Sequence, residues 1–408
     1  MNSDSVPSTS LAMRAACALL LSAGIATAQG SVGPHALGSL QECVGLGLTK
    51  LGVLDAEQIN FVQLPSDPPG TYYVSLTVYG LSTARGGAGS DDLLTGRYDI
   101  LTDTFTENLD AAGLNTAGTE FMLGMHSSGL FAVFDRPGLS LQFASRGSVT
   151  SPFVDRGSIT GVPFQSWYDP NLATVDGKLH LVCRINNDLA MMPLDTTTLV
   201  AGTPTVIARS TGSGQLNSSA PILDANGEMI GISYHDLIGN DNDHWVSFDL
   251  DPATPGHVVL DNATFYSNGS FFGGRYFAAL SDSSGYRITQ RDYMWCAGGV
   301  GPVGGSMDIA AYVPADLAAS SISFLMISAS YANPVTIPGF TGSFGLGVAG
   351  WNIFGMGPHA KGTARASLSL AIPQDASLKG IVVPAQALTI ETKASQFVFG
   401  NTCSLRVK

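Results

Sequence analysis

The chain has 408 residues, with 48 Gly and 21 Pro, only 12% charged side chains and a formal net charge of −13. That composition argues against a helix-built fold and, with no basic cluster, against binding along a nucleic-acid backbone. An acidic surface suits an exported protein or a neutral ligand such as a sugar.

Residues 1–28 have the layout of a secretory signal peptide. Met13-Arg14 is a weak positive region, Ala15 to Ile25 an apolar stretch, and Ala26-Thr27-Ala28 a small-residue cleavage site before Gln29. The apolar stretch is too short to span a bilayer, and no later run is longer, so no transmembrane segment is expected. The reading predicts secretion or display at the cell surface. Of five cysteines, Cys43, Cys183, Cys296 and Cys403 follow the cleavage site. Their wide spacing excludes a CxxC motif, and their pairing stays open. Cys183, inside an apolar run, reads as a buried thiol.

Residues 29–55 are a Gly-rich lead-in, and residues 56–110 hold strand-like runs at Ile59 to Leu64, Tyr72 to Tyr79 and Gly96 to Ile100. From there one pattern recurs: an apolar run, a Gly-containing turn, a second apolar run and a polar loop. It occupies Glu120 to Asp135, Asp169 to Arg184, Ala220 to Tyr234 and Arg275 to Ile288. The turn glycines Gly129, Gly177, Gly227 and Gly285 recur at roughly 50 residues, a period of propellers and solenoids. Apolar strands ending in an Asp/Thr turn, marked by Asp195 and Asp251, keep a similar spacing. Such units cannot bury both faces alone and stack around an axis. The predicted fold is all-β: a β-propeller of about five blades over 29–297, then a second domain.

Residues 298–305 read as a Gly-rich linker, and residues 306–408 alternate short apolar strands with Pro/Gly turns, as in a small β-sandwich. Ala364 to Pro373 shows clean period-two alternation. With Gly305-Ser306-Met307-Asp308-Ile309 near its start, a turn at Pro338-Gly339, and Leu378 to Leu388 before a last strand near Cys403, this part resembles a C-terminal module of exported bacterial proteins. The resemblance implies export or surface display and no catalysis.

Trp167-Tyr168-Asp169-Pro170-Asn171-Leu172, followed by Asp176-Gly177-Lys178-Leu179-His180, resembles the arabinanase-like five-bladed propeller glycosidases. The resemblance implies Asp169 as general base. The family's catalytic acid precedes an Ala-Pro in a later blade, where this chain reads Leu216-Asn217-Ser218-Ser219-Ala220-Pro221, without a carboxylate. Glu120 is the substitute candidate, although it lies in the preceding blade; two carboxylates are the ordinary requirement of glycoside hydrolysis. Read without the resemblance, Asp169 caps a turn before Pro170 or binds sugar.

Aligning the turn glycines places Glu120, Asp169, Asn217 with Ser219, and Arg275 at comparable inner-strand starts around a funnel. Trp167 and Tyr168 offer a stacking surface for a sugar ring, or core packing. Tyr234, His235 and Asp236 sit at a strand end, where Tyr234 or His235 would be the base of a polysaccharide lyase and His235 and Asp236 would line the funnel. Asn240 to His244 has calcium-type ligands without a recognised calcium frame; no other cofactor is implied. Three readings follow: a glycan-cleaving enzyme using Asp169 and Glu120, a non-catalytic carbohydrate- or protein-binding propeller, and a lyase.

Overall fold

The computed structural model describes residues 32–408, apart from 69, 137–139, 164–167, 211–213, 225–226, 239–240, 254–255, 261–268, 273, 283–284, 315, 348–351 and 361–363. The described residues divide into two compact units, one over residues 36–293, the other over 294–360 and 365–408 with residues 32–35. The predicted signal peptide, residues 1–28, lies outside the described residues.

The first unit is a five-bladed propeller of antiparallel blades, four-stranded except for the five-stranded blade 3. β1 (His35–Glu42) comes first in the chain but completes the last blade. Blade 1 is β2 (Asp55–Val62), β3 (Thr71–Tyr79), β4 (Asp91–Asp99) and β5 (Thr104–Asn108). Blade 2 is β6 (Phe121–Met125), β7 (Phe131–Arg136), β8 (Ser140–Ser145) and β9 (Val154–Ser158). Blade 3 is β10 (Asn171–Val175), β11 (Lys178–Ile185) and β12 (Asp188–Asp195), with β13 (Val200–Ala201) and β14 (Thr205–Ala208) both pairing β12. Blade 4 is β15 (Gln215–Leu223), β16 (Met229–Ile238), β17 (Asp241–Ser247) and β18 (His257–Leu260). Blade 5 is β19 (Gly269–Phe272), β20 (Arg275–Asp282) and the start of β21 (Gly285–Ala297), with β1 paired to β21 as its outer strand. The innermost strands touch in cyclic order, β2 to β6, β10, β15, β19 and back to β2, so the ring closes.

The apolar runs are continuous because both faces of each inner blade are buried. Successive residues of a strand point to opposite faces. Tyr72 therefore enters the core shared with Phe277 and Ile288 of blade 5, and Tyr73 the core shared with Leu123 and Phe134 of blade 2. Leu181 and Cys183 pack toward Val133 and Phe143 of blade 2, whereas Val182 packs toward Leu216 and Ile232 of blade 4. Phe61 and Phe277 stack with centroids 4.2 Å apart, joining the first blade to the last. Between blades 4 and 5 the seam is partly polar: His244 Nδ1 meets Tyr276 Oη at 2.6 Å, and Ser233 Oγ donates to Gly269 O.

The phase of the repeat needs one correction. Gly129, Gly177 and Gly227 each lie between the first and second strands of their blades, but Gly285 opens β21, the third strand of blade 5. The first turn of that blade falls just before Arg275, so Arg275 begins a second strand and is not at an inner-strand start.

The second unit is a β-sandwich. The end of β21 pairs with β23 (Ser306–Tyr312), and β23 with β29 (Arg365–Ala371). The facing sheet runs β22 (Gly299–Gly301), β31 (Gln396–Val407), β30 (Val382–Glu391), β24 (Ser321–Ile327) and β28 (Asn352–Pro358), with β26 (Phe340–Thr341) also on β31. β25 (Tyr331–Val335) and β27 (Phe344–Leu346) form a side ribbon. Met307, Ile309, Leu325, Leu370, Ala385 and Leu405 fill the space between the sheets. The predicted linker 298–305 is part of this domain. Gly299–Gly301 pairs in parallel with Leu405–Val407, and a Cβ on Gly298 would sit 2.2 Å from Ser404 O. Its glycines thus permit close strand approach.

Candidate functional site

Asp169 stands two residues before the innermost strand of blade 3 with φ of +47°, a left-handed backbone that Asp tolerates better than most residues. Its carboxylate is largely buried. Oδ1 accepts from Gln58 Nε2 at 3.3 Å, and Oδ2 lies 4.0 Å from Arg184 Nη1. Gln58 follows a register shift in β2, the inner strand of blade 1. Blades 1 and 3 are not neighbours in the ring, so this contact reaches across the axis. Arg184, near the end of β11, also donates through Nη1 to Asn217 Oδ1 on β15, the inner strand of blade 4. One carboxylate, one guanidinium and two carboxamides from three blades therefore meet at one place.

Asp135, at the end of β7, is electrostatically tied to this cluster. Its Oδ2 accepts from the Tyr168 backbone N–H at 2.9 Å. Burial pushes the carboxyl up to about 7; the Tyr168 N–H opposes this, the Asp169 charge adds to it, and Arg184 opposes it. Cys183, buried beside these groups, is pushed up mainly by burial and remains a neutral thiol.

Glu120 has partners of its own. It is fully buried and accepts from Thr116 N–H, Thr116 Oγ1 and Arg136 Nε, the last at 3.0 Å. Arg136 extends to Asp155 on β9, the outermost strand of the blade. Arg275 forms a cross-strand ion pair with Asp292, Nε to Oδ1 at 2.6 Å. Of the predicted ring, the structure brings together Asp169 and Asn217.

Tyr168 is buried among Val133, Leu141, Leu172 and Leu181, so its ring packs a core and its backbone serves the site. Trp167 lies outside the described residues. His235, opposite Asn217 in the β15–β16 pairing, is buried with its ring 5.3 Å from that of His244. Asp236 faces Asp243 across β16 and β17, and burial, then the Asp243 charge, pushes it up to about 6. Tyr234 packs in the core between blades 3 and 4, and burial pushes its phenol well above the ordinary value. Asn240 lies outside the described residues, and Asp241 to His244 is part of strand β17. Among the described residues, no three His, Cys, Asp or Glu side chains are grouped so as to hold a metal ion. No helix among them is long and apolar enough to cross a membrane.

Gln58, Arg184 and Asp135 were not singled out by the sequence. Arg184 carried a usable signal, a charged residue closing the run Leu181-Val182-Cys183. Gln58 carried none, because its partner is 111 residues away. A separate cavity of about 310 Å³ at blades 2 and 3, lined by Phe131, Phe143, Arg156 and Leu199 among others, shares no residue with the Asp169 cluster.

No family model and no curated protein matches the chain. Among solved structures it is similar to a β-xylosidase, RS223, at 10% identity and TM-score 0.38, covering 63% of this chain and 95% of that one. It is similar also to the GH43 protein BlXynB of Bacillus licheniformis, at 9% identity and TM-score 0.35 over 92% and 94% of the two chains. A luciferin-regenerating enzyme matches at 11% identity and TM-score 0.34, over 64% and 95%. Likenesses this distant bear on neither catalysis nor ligand.

Proposed function

We propose that this chain is an exported, carbohydrate-binding propeller that holds a neutral oligosaccharide at the Asp169 cluster without cleaving it. The supporting observation is the set of groups gathered there. Gln58 and Asn217 each carry a donor and an acceptor, Asp169 accepts and Arg184 donates, the repertoire that sugar hydroxyls require. The Asp169–Arg184 pair leaves the cluster without large net charge, which suits a neutral ligand better than an anionic one. Glycoside hydrolysis by the usual route needs a second carboxyl across the scissile bond, at roughly 5 to 10 Å. Glu120 is instead enclosed by Thr116 and Arg136.

A second reading, hydrolysis, has one observation in its favour. Asp135, pushed up to about 7 mainly by burial and lying beside Asp169, keeps its proton to near-neutral pH, as a general acid must. A panel of neutral oligosaccharides screened for both binding and release of reducing ends separates the two. Binding without turnover supports the first reading. Turnover lost in both Asp135→Asn and Asp169→Asn would replace it with the second, and a panel that neither binds nor turns over would overturn both. Export is tested by N-terminal sequencing after expression in a secreting bacterial host: a start at Gln29 supports it, and an exported protein retaining Met1 contradicts the cleavage site.

A further inference from the structure

The second unit holds two cysteines that its architecture brings face to face. Cys296 lies at the end of β21 in one sheet and Cys403 in β31 of the other; both are buried in the core between the sheets. Their sulfurs are 3.3 Å apart. The alignment is held by Asn401, which is completely buried. Its Oδ1 accepts from Cys296 N–H, and its Nδ2 donates to Cys296 O at 2.9 Å. One side chain thus clamps the backbone on both sides of Cys296 to the strand that carries Cys403 two residues later. The cross-strand neighbours of the two cysteines, Ala311 and Ala385, are small and leave the sulfurs room to approach.

We propose that Cys296 and Cys403 form a structural disulfide that ties the two sheets of the sandwich together. Closing the gap from 3.3 Å to a bond of about 2.05 Å requires a shift of roughly 1.3 Å, within reach of side-chain rotation. The oxidant is a disulfide, small-molecule or protein. One cysteine thiolate attacks it, forming a mixed disulfide and releasing one thiol. The second thiolate then attacks the cysteine sulfur of the mixed disulfide and releases the other thiol. The two cysteines give up two protons and two electrons, and the oxidant becomes two thiols. Since both sulfurs are enclosed once the sheets meet, exchange takes place during folding. All four cysteines are thiols in the structure; Cys43 and Cys183 lie in separate inter-blade cores, the first between blades 5 and 1 and the second between blades 2 and 3, and neither core holds a second cysteine among the described residues.

The test uses the full chain refolded in a mixture of reduced and oxidised glutathione, denatured without reductant, alkylated and mapped by mass spectrometry. The expected map links the peptides bearing Cys296 and Cys403 and finds Cys43 and Cys183 alkylated. Reductant should lower the melting transition of the second unit by on the order of 10 °C, since the bond closes a loop of about 100 residues. Cys403→Ala should melt at one temperature with or without reductant. If that variant does not fold, the wild-type map decides alone. Alkylation of both Cys296 and Cys403 in the refolded protein, or a cross-link to Cys43 or Cys183, would overturn the proposal.

Discussion

Replacing Asp135 by Asn probes the electrostatics of the cluster without disturbing its shape. The carboxyl titrates at about 7 in the folded chain against an ordinary value of 3.8. As pH rises through that interval, the unfolded chain releases its proton first while the folded chain still holds it. The folded state binds more protons, so stability falls with rising pH across the window and levels off above about 7. At about 1.4 kcal/mol per pH unit the ceiling is ~4 kcal/mol, and relaxation of the site brings a realistic value to about 2 kcal/mol. Asn removes the titration, and its Oδ1 can still accept from the Tyr168 N–H. At pH 4, where Asp135 is neutral and nearly isosteric with Asn, the two proteins should melt together. At pH 8 the variant should melt higher by roughly 4 to 8 °C, the shift expected of about 2 kcal/mol in a unit of this size. Asp236, pushed up to about 6, adds a slope of the same sign to both proteins and cancels in the difference. Thermal melts at half-unit pH steps provide the assay. A difference that stays constant from pH 4 to 8, or a wild type that gains on the variant as pH rises, would refute the reasoning.

Three further outcomes concern the fold. Gly124→Ala would place a methyl 2.2 Å from Pro170 O, against the backbone of the next blade, and should cost about 2 to 4 kcal/mol in urea unfolding, more than an ordinary strand glycine. Phe277→Ala removes the ring stacked on Phe61 where blade 5 meets blade 1, and should cost about 3 to 5 kcal/mol; a loss under ~1 kcal/mol would mean the ring does not close there. A fragment of residues 294–408 should melt cooperatively and at a higher temperature than residues 306–408. The shorter piece lacks β22 and the Trp295 ring stacked on Tyr312, and equal melting would restore the linker reading.

Much of the fold was legible because both faces of each blade are buried, which leaves continuous apolar runs separated by glycine turns. Gly129, Gly177 and Gly227 marked true inner turns. Gly285 did not, since it opens the third strand of blade 5, and glycine marks a turn without saying which one. The segment 298–305 misled for a related reason: glycine there serves close strand contact, as at Gly298 against Ser404, and not flexibility. Within the site, Asp169 stood out through its Asp-Pro context, and Asn217 through its place before Ala-Pro. Gln58, Arg184 and Asp135 acquire their roles only when the ring closes and brings blades 1, 2, 3 and 4 to the axis. Glu120 looked equivalent to Asp169 by position, but its buried carboxylate is taken up by Thr116 and Arg136.

The most direct measurement is a calorimetric titration of the best-binding neutral oligosaccharide into wild type, Asn217→Ala and Gln58→Ala, with Arg156→Ala in the separate cavity as control. Removing one carboxamide that bonds a hydroxyl should weaken binding roughly 5- to 30-fold, the effect of losing about 1 to 2 kcal/mol, while Arg156→Ala binds as wild type. Unchanged affinity in both funnel variants, or a loss confined to Arg156→Ala, would contradict the assignment of the ligand to the Asp169 cluster.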